Sequence, residues 1–391
     1  MHGDLVTLFL CGDVMLGRGV DQILPHPGDP TLREACVRDG RGYVALAEKA
    51  HGLIPRPVGF TWPWGEALGV LDEAAPDARV VNLETGITRS DDFAPGKGVH
   101  YRMNPANLPC LTAARPDVCV LANNHVMDFG RGGLEETLGA LAGARLRAAG
   151  AGRDAGEARR PAVVPVDGGR RVLVFAVGMP SSGIPESWGA APDRPGVDLV
   201  ARPSGASAAE VAERVRRVRR PGDIAVVSLH WGANWGYRVR GDEIRFAHAL
   251  VDGGVDVVHG HSSHHPRPLE VYRGKLVLYG CGDFIDDYEG IGGRGHYRDD
   301  LRLMYVVSVE PDTGSLRDVR ITPLLARRMR LRRPPREDTE WLRAVLDRIS
   351  RDFGTRVRLQ PDGTLAVRAA RPAGTAPTRA TVGRTDHRFT A

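Results

Sequence analysis

Long apolar runs are missing from this sequence. None reaches the roughly 20 residues that a helix needs to cross a bilayer. The start, Met1-His2-Gly3-Asp4, has neither a cationic segment nor a small-residue cleavage site, so no secretory signal is expected there. Cysteine is scarce. The five present (Cys11, Cys36, Cys110, Cys119, Cys281) are odd in number and form no CxxC pair. They read as small buried hydrophobes rather than a disulfide set, and a reduced, cytoplasmic protein is the expectation. A strong charge imbalance is lacking too. The net charge is +5, and no arginine tract alternates with aromatics, so neither a nucleic-acid nor a membrane partner is expected. There is no zinc-finger or RNP-like pattern and no internal repeat. No GxxxxGK[ST] phosphate loop is present, which counts against ATP use by that route.

What is present suits a folded α/β chain. Hydrophobic residues make up 42% and charged residues 26%, enough to bury a core under a solvated surface. Apolar runs of strand length recur at Leu5–Cys11, Ala78–Leu83, Val118–Ala122, Arg171–Gly178 and Asp223–Leu229. Two more follow at 255–258 and 275–278. Between them, Leu134, Leu138 and Leu141 recur at helical spacing, as do Val211, Val215 and Val218. Ser207 with Glu210 reads as a capping box for the second of these helices. Its arginines (Arg214, Arg216, Arg217, Arg219, Arg220) read as a solvated face. Residues 22–65, rich in Pro, Gly and Trp, read as an irregular insertion with one short helix near 42–50. Beyond the Gly-rich loop after Asp283, a hairpin is expected over 303–324. An amphipathic helix is expected from Trp341 to Phe353, and a second hairpin around Pro361-Asp362-Gly363. Residues 370–391 have the composition of a disordered tail.

The densest chemistry lies at His259-Gly260-His261-Ser262-Ser263-His264-His265, four histidines within seven residues at the end of a strand. Neutral imidazole is a common metal ligand. A histidine-rich surface loop is the alternative. The other strand ends bear on the choice: Asp13, Glu84, Asn124 with His125, and His230 each follow an apolar run. If the sheet is largely parallel, these ends lie along one edge, where open α/β sheets place their sites. Mixed nitrogen and oxygen donors without thiolate suit Mn, Fe or Zn better than Ca or Mg. Six donors exceed one tetrahedral ion, so two divalent ions sharing a carboxylate are expected. Arg102 is a candidate contact for an anionic substrate.

Five motifs in this order resemble the CapA family of capsule and poly-γ-glutamate synthesis proteins. They are Gly12-Asp13-Val14-Met15-Leu16-Gly17-Arg18, Asn82-Leu83-Glu84, Ala122-Asn123-Asn124-His125, His230-Trp231-Gly232 and Gly260-His261-Ser262-Ser263-His264. The resemblance runs from about Leu8 to Phe284. That family is similar in turn to calcineurin-like metallophosphoesterases. This implies a four-layered α/β-β-α sandwich over residues 1–330, with residues 331–369 as a helix-plus-hairpin extension packed on it. It also implies metal ligands Asp13, Glu84, Asn124, His230, His261 and His264, with Glu84 as the bridge. His125 would be the general acid or a phosphate contact, and Arg18, Arg102 and Asn123 would face a small or polymeric anionic substrate. His259 and His265 fall outside the matched positions and are expected behind the ligands or at the surface.

The sequence departs from the phosphoesterase pattern at several points. Met15 stands where a ligand histidine is expected, and a thioether is a poor ligand for a hard ion. Asn82 replaces an aspartate, Val126 an acid, and Asn234 a glutamate common among relatives. The gap before His264 is one residue longer. Beside an amide-forming, ligase-like enzyme, against which the missing phosphate loop counts, two functions therefore stay open. One is a metal-dependent hydrolase of phosphoesters or γ-glutamyl-type amides. The other is a non-catalytic accessory protein that holds an anionic polymer.

Overall fold

The computed structural model describes residues 5–291 and 295–369, so the expected tail, 370–391, lies outside the described residues. Strands β1 (Val6–Val14), β2 (Ala78–Leu83), β3 (Val118–Val120) and β4 (Arg147–Ala149) run parallel in that order. The chain then leaves for a second sheet. There β5 (Ala162–Val166) lies antiparallel to β6 (Arg170–Gly178), and β7 (Ile224–His230) and β8 (Val257–His261) run parallel to β6. A hairpin of β9 (Leu269–Tyr272) and β10 (Lys275–Leu278) completes it. The chain returns to the first sheet through β11 (Asp283–Ile285), parallel to β1, and the hairpin β12 (Leu301–Val309) and β13 (Leu316–Ala326). The final hairpin, β14 (Thr355–Leu359) and β15 (Leu365–Ala369), pairs onto β13.

Period-two alternation sorts these strands into layers, because successive side chains point to opposite faces. In β1, Leu8 and Leu10 face the second sheet, while Phe9 and Cys11 face away. In β6, Val172 and Val174 meet them, while Leu173, Phe175 and Val177 face outward. Helices cover both outer faces. Val44 of α1 (Arg41–His51) and Leu134, Leu138 and Leu141 of α2 (Gly130–Gly143) pack on the first sheet. Val211 and Val215 of α3 (Gly205–Val218) and Phe246 and Leu250 of α4 (Gly241–Asp252) pack on the second. This is the four-layered sandwich that the resemblance implies. No helix among the described residues is long and apolar enough to cross a membrane.

Two expectations need correction. The site-bearing strand ends come from two facing sheets, not from one edge of a single parallel sheet. And α3 starts one turn earlier than the Ser207–Glu210 signature suggests. Ser204 is its N-cap, and its hydroxyl accepts from the Ser207 N–H at 3.2 Å while the Ser207 hydroxyl accepts from the Ser204 N–H. A serine at the fourth position closes the box as a glutamate would.

Helix α5 (Arg336–Ser350) buries Leu342 and Leu346 in the core between the sheets, and Asp347 ties it to the last hairpin. The Asp347 carboxylate accepts from the Val357 N–H at 3.0 Å and from Arg356 at 2.7 and 3.0 Å. Arg356 pulls its pKa down to about 2, against the opposing effect of burial. Asp347→Ala leaves the Val357 N–H without its partner and is expected to cost about 1–3 kcal/mol. A depressed carboxylate pKa stabilises the fold above the unfolded value of roughly 4, and that contribution disappears as pH falls towards 2. The gap in melting temperature between wild type and variant should therefore close over that interval, and thermal unfolding across pH 2–6 measures it.

Candidate metal centre

Asp13 ends β1, and two glycines set what lies beside it. A Cβ on Gly12 would sit 1.5 Å from the Gly282 carbonyl oxygen, and Gly282 itself has φ +78°. Only glycine fits such a close approach. The Asp13 N–H donates to that same carbonyl at 3.1 Å, and Asp283 becomes the parallel-strand neighbour of Asp13. On the other side of β1, Asn82 of β2 is in register with Asp13. Its side-chain amide donates to Asp13 Oδ1 at 2.7 Å and to Glu84 Oε2 at 3.3 Å. The second sheet delivers His230 and His261, which are register partners on β7 and β8. All of these side chains are buried.

The hydrogen-bond pattern fixes the imidazole tautomers. A carbonyl oxygen only accepts, so His259 Nε2–H donates to Cys11 O at 2.7 Å. Burial pushes the His259 pKa down to about 4, so its Nδ1 carries a lone pair and takes the single Ser228 hydroxyl proton. His261 Nε2–H must then donate to Ser228 Oγ at 2.7 Å. Burial and the neighbouring imidazoles hold His261 neutral, so its Nδ1 is a bare acceptor. His230 Nε2–H donates to Asn124 Oδ1 at 2.7 Å, leaving its Nδ1 bare as well. These two Nδ1 atoms face each other at 2.7 Å, with Asp13 Oδ1 3.8 Å from the His261 nitrogen. Two facing lone pairs beside a buried carboxylate repel one another unless a cation lies among them. Asp13, His230 and His261 bring their ligand atoms within 4.8 Å of one another, so the donor set fits a divalent ion.

The carboxylates tell the same story. Burial, then the charge of Asp283, pushes the Asp13 pKa up to about 7. Burial, then Asp13, raises Glu84 well above its ordinary value. Asp283 is different, because against burial His264 and then Arg302 hold it below the usual carboxylate range, and a divalent ion would return Asp13 and Glu84 to the ionised state and release their protons. Glu84 Oε1 lies 3.8 Å from both His230 Nε2 and His125 Nε2, between the two halves of the cluster.

His125 is held for proton chemistry. Its Nδ1 meets Asp128 Oδ2 at 2.6 Å, which directs Nε2 towards Glu84. Asp128 is anchored in turn by the Tyr101 N–H at 2.7 Å and by Lys97, whose ammonium also donates to the Asn124 carbonyl. Burial brings the His125 pKa down to about 4, so the ring is neutral at neutral pH.

The structure thus brings Asp13, Glu84, Asn124, His125, His230 and His261 into one cluster. His264 joins at its edge with both ring nitrogens engaged. Nδ1 meets Asp283 Oδ1 at 3.0 Å, and Nε2 meets the Asn234 amide at 3.0 Å. The other three expected contacts are taken up by the scaffold. Arg18 is buried between Asp287 (2.5 Å) and Glu34 (3.0 Å) and lies over the Tyr43 ring at 3.6 Å, so its charge is already paired. Arg102 donates to Ser90 O and Asp91 Oδ1. Asn123 shapes its turn by accepting from the His125 and Val126 N–H groups and donating to Leu83 O. His259 and His265 are buried, His265 stacking on Tyr297 at 4.3 Å, so neither is at the surface. Sequence reasoning missed Asp283, Asp128 and Lys97 as site residues. Asp283 carried a readable signal: Gly282-Asp283 after an apolar strand repeats Gly12-Asp13. Lys97, in a Pro/Gly loop, carried none.

A profile of the family described as bacterial capsule synthesis protein PGA_cap matches residues 7–288, which include every residue of the cluster. The chain belongs to this family. A relative from Mycobacterium tuberculosis, named a probable polyglutamine synthesis accessory protein, is 57% identical over 365 residues, covering 93% of this chain and 96% of its own length. The PGA biosynthesis protein CapA of Bacillus subtilis is 29% identical over 286 residues, covering 73% of this chain and 64% of its own. Among solved structures, a 5'-nucleotidase precursor from Thermus thermophilus aligns with TM-score 0.45 at 18% identity, over 82% of this CapA-family chain and 54% of its own.

Proposed function

We propose that this chain is a metal-dependent hydrolase that serves capsule or poly-γ-glutamate-type polymer synthesis. Its substrate would be an anionic phosphoester or γ-glutamyl-type amide, small or polymeric. The names of the relatives support the setting. The facing Nδ1 lone pairs of His230 and His261 beside Asp13 carry the chemical reading. Two divalent ions, Mn, Fe or Zn, suit the mixed donor set. Asp13, Glu84, Asn124, His230 and His261 would hold them, with Glu84 shared between the positions. Such ions supply Lewis-acid catalysis and a lowered pKa for water.

The remaining steps belong to the chain's own side chains. Asp128 fixes the His125 tautomer with the proton on Nδ1, so the bare Nε2 takes a proton at the reacting oxygen or nitrogen and can return it afterwards. Lys97 balances the charge of Asp128. Burial of the cluster keeps bulk water from screening these charges.

One observation favours the non-catalytic accessory reading. Met15 is fully buried, and its sulfur accepts from the Tyr288 hydroxyl at 3.6 Å, so the place of a ligand histidine is occupied by packing. A panel of nitrophenyl phosphate mono- and diesters and γ-glutamyl nitroanilide, run with Mn²⁺, Fe²⁺ or Zn²⁺, separates the two. The hydrolase reading expects turnover that a chelator abolishes and the metal restores. Binding of poly-γ-glutamate without turnover under any of these ions would establish the accessory role instead.

A further inference from the structure

Asp283 is the unexplained group of the cluster. It is buried, and while its Oδ1 pairs with His264, its Oδ2 receives no N–H or hydroxyl donor among the described residues and has the Asp286 carboxyl for a neighbour. Leaving a buried charged acceptor unsatisfied is costly, by about 1–3 kcal/mol or more. It is also the strand neighbour of Asp13, so two carboxylates are buried side by side. Its other oxygen is held by His264 Nδ1–H, because a carboxylate oxygen only accepts. Meanwhile Met15 turns its sulfur to Tyr288.

We infer that Asp283 is a ligand of the second divalent ion, supplying the donor that Met15 does not, and that His264 is the positioning residue that aims it. This rests on the two-ion reading above. The consequence is an asymmetric centre. One position takes nitrogen from His230 and His261 with oxygen from Asp13, whose ligand atom lies within 4.8 Å of theirs and which the second position shares. The other takes carboxylate oxygen from Asp13, Asp283 and the shared Glu84. All-oxygen shells favour hard ions such as Mn²⁺ or Mg²⁺, while imidazole suits Zn²⁺. The two positions therefore differ in metal preference, and the oxygen position owes its donor to an aspartate that the phosphoesterase resemblance does not assign.

Metal-free full-length protein is titrated with Mn²⁺ by calorimetry, with elemental analysis after desalting. Wild type is expected to take up two equivalents. In Asp283→Asn the second equivalent should bind at least about 10-fold more weakly, and in His264→Gln roughly 10-fold, the effect typical of a partner that orients a ligand. Adding Met15→His to Asp283→Asn should restore the second equivalent. Two equivalents at unchanged affinity in Asp283→Asn overturn the assignment, as does a wild type that takes only one. A measurement on wild type alone covers the case of a variant that fails to fold. Zn²⁺ in competition should displace one Mn²⁺ readily and leave the other, and equal displacement of both overturns the asymmetry. Two-ion binding that depends on Asp283, without turnover on any substrate, would sink the hydrolase reading and leave this one standing. Turnover with an Asp283-independent second ion does the reverse.

Discussion

His261→Ala is expected to lose the ion at the nitrogen-rich position and to lower turnover by about 10³-fold or more, equivalent to about 4 kcal/mol of barrier. The effect is large because His261 does two things at once. Its Nδ1 is one of the two facing lone pairs, and its Nε2 is the link to Ser228 that fixes which nitrogen is bare. Removing it leaves His230, still held by Asn124, as the one imidazole beside Asp13, which loses a partner. The fold should survive. His261 ends β8, whose core-facing residues Val257 and Val258 are untouched. Circular dichroism and thermal unfolding check that, and elemental analysis with a steady-state assay reads the loss. Full metal content and turnover in this variant would remove His261 from the centre.

His125→Gln is expected to behave differently. Its Nε2 lies 3.8 Å from Glu84, and its Nδ1 is committed to Asp128. Metal content should stay at the wild-type level, while kcat falls by about 10²–10⁴, the range typical of a lost general acid or base. KM should change little. This split between metal retention and turnover separates a proton-transfer group from a ligand. A variant that loses metal in step with activity would make His125 a ligand instead, and one that keeps kcat would make the Asp128–Lys97 arrangement purely structural.

Much of the centre was legible because its physics is local. An apolar run of strand length followed at once by a polar donor marks a strand end, and Asp13, Glu84, Asn124, His230 and His261 all announce themselves that way. Layer assignment was legible through the family resemblance and not from the strands themselves. Whether a strand joins one sheet or another depends on partners far along the chain, as when β11 returns 270 residues later to pair with β1. The same distance hid the fate of Arg18. Its motif position suggested an anion contact, but Asp287 and Glu34 neutralise it, and nothing near residue 18 foretells the first of these. Ser204 was overlooked because glutamate is the usual partner in a capping box, and here a second serine serves. Asp283 was overlooked for a different reason. Its Gly-Asp signal was present, but only the contact between Gly12 and Gly282 shows that the two aspartates are neighbours.

The claim on which the rest depends is that this cluster holds divalent ions. Anomalous X-ray scattering at the manganese edge, from crystals grown with saturating Mn²⁺, tests it most directly. A strong peak enclosed by Asp13, His230 and His261 is the expected result. A featureless map there, with His230 and His261 still facing each other through their Nδ1 atoms, would contradict it.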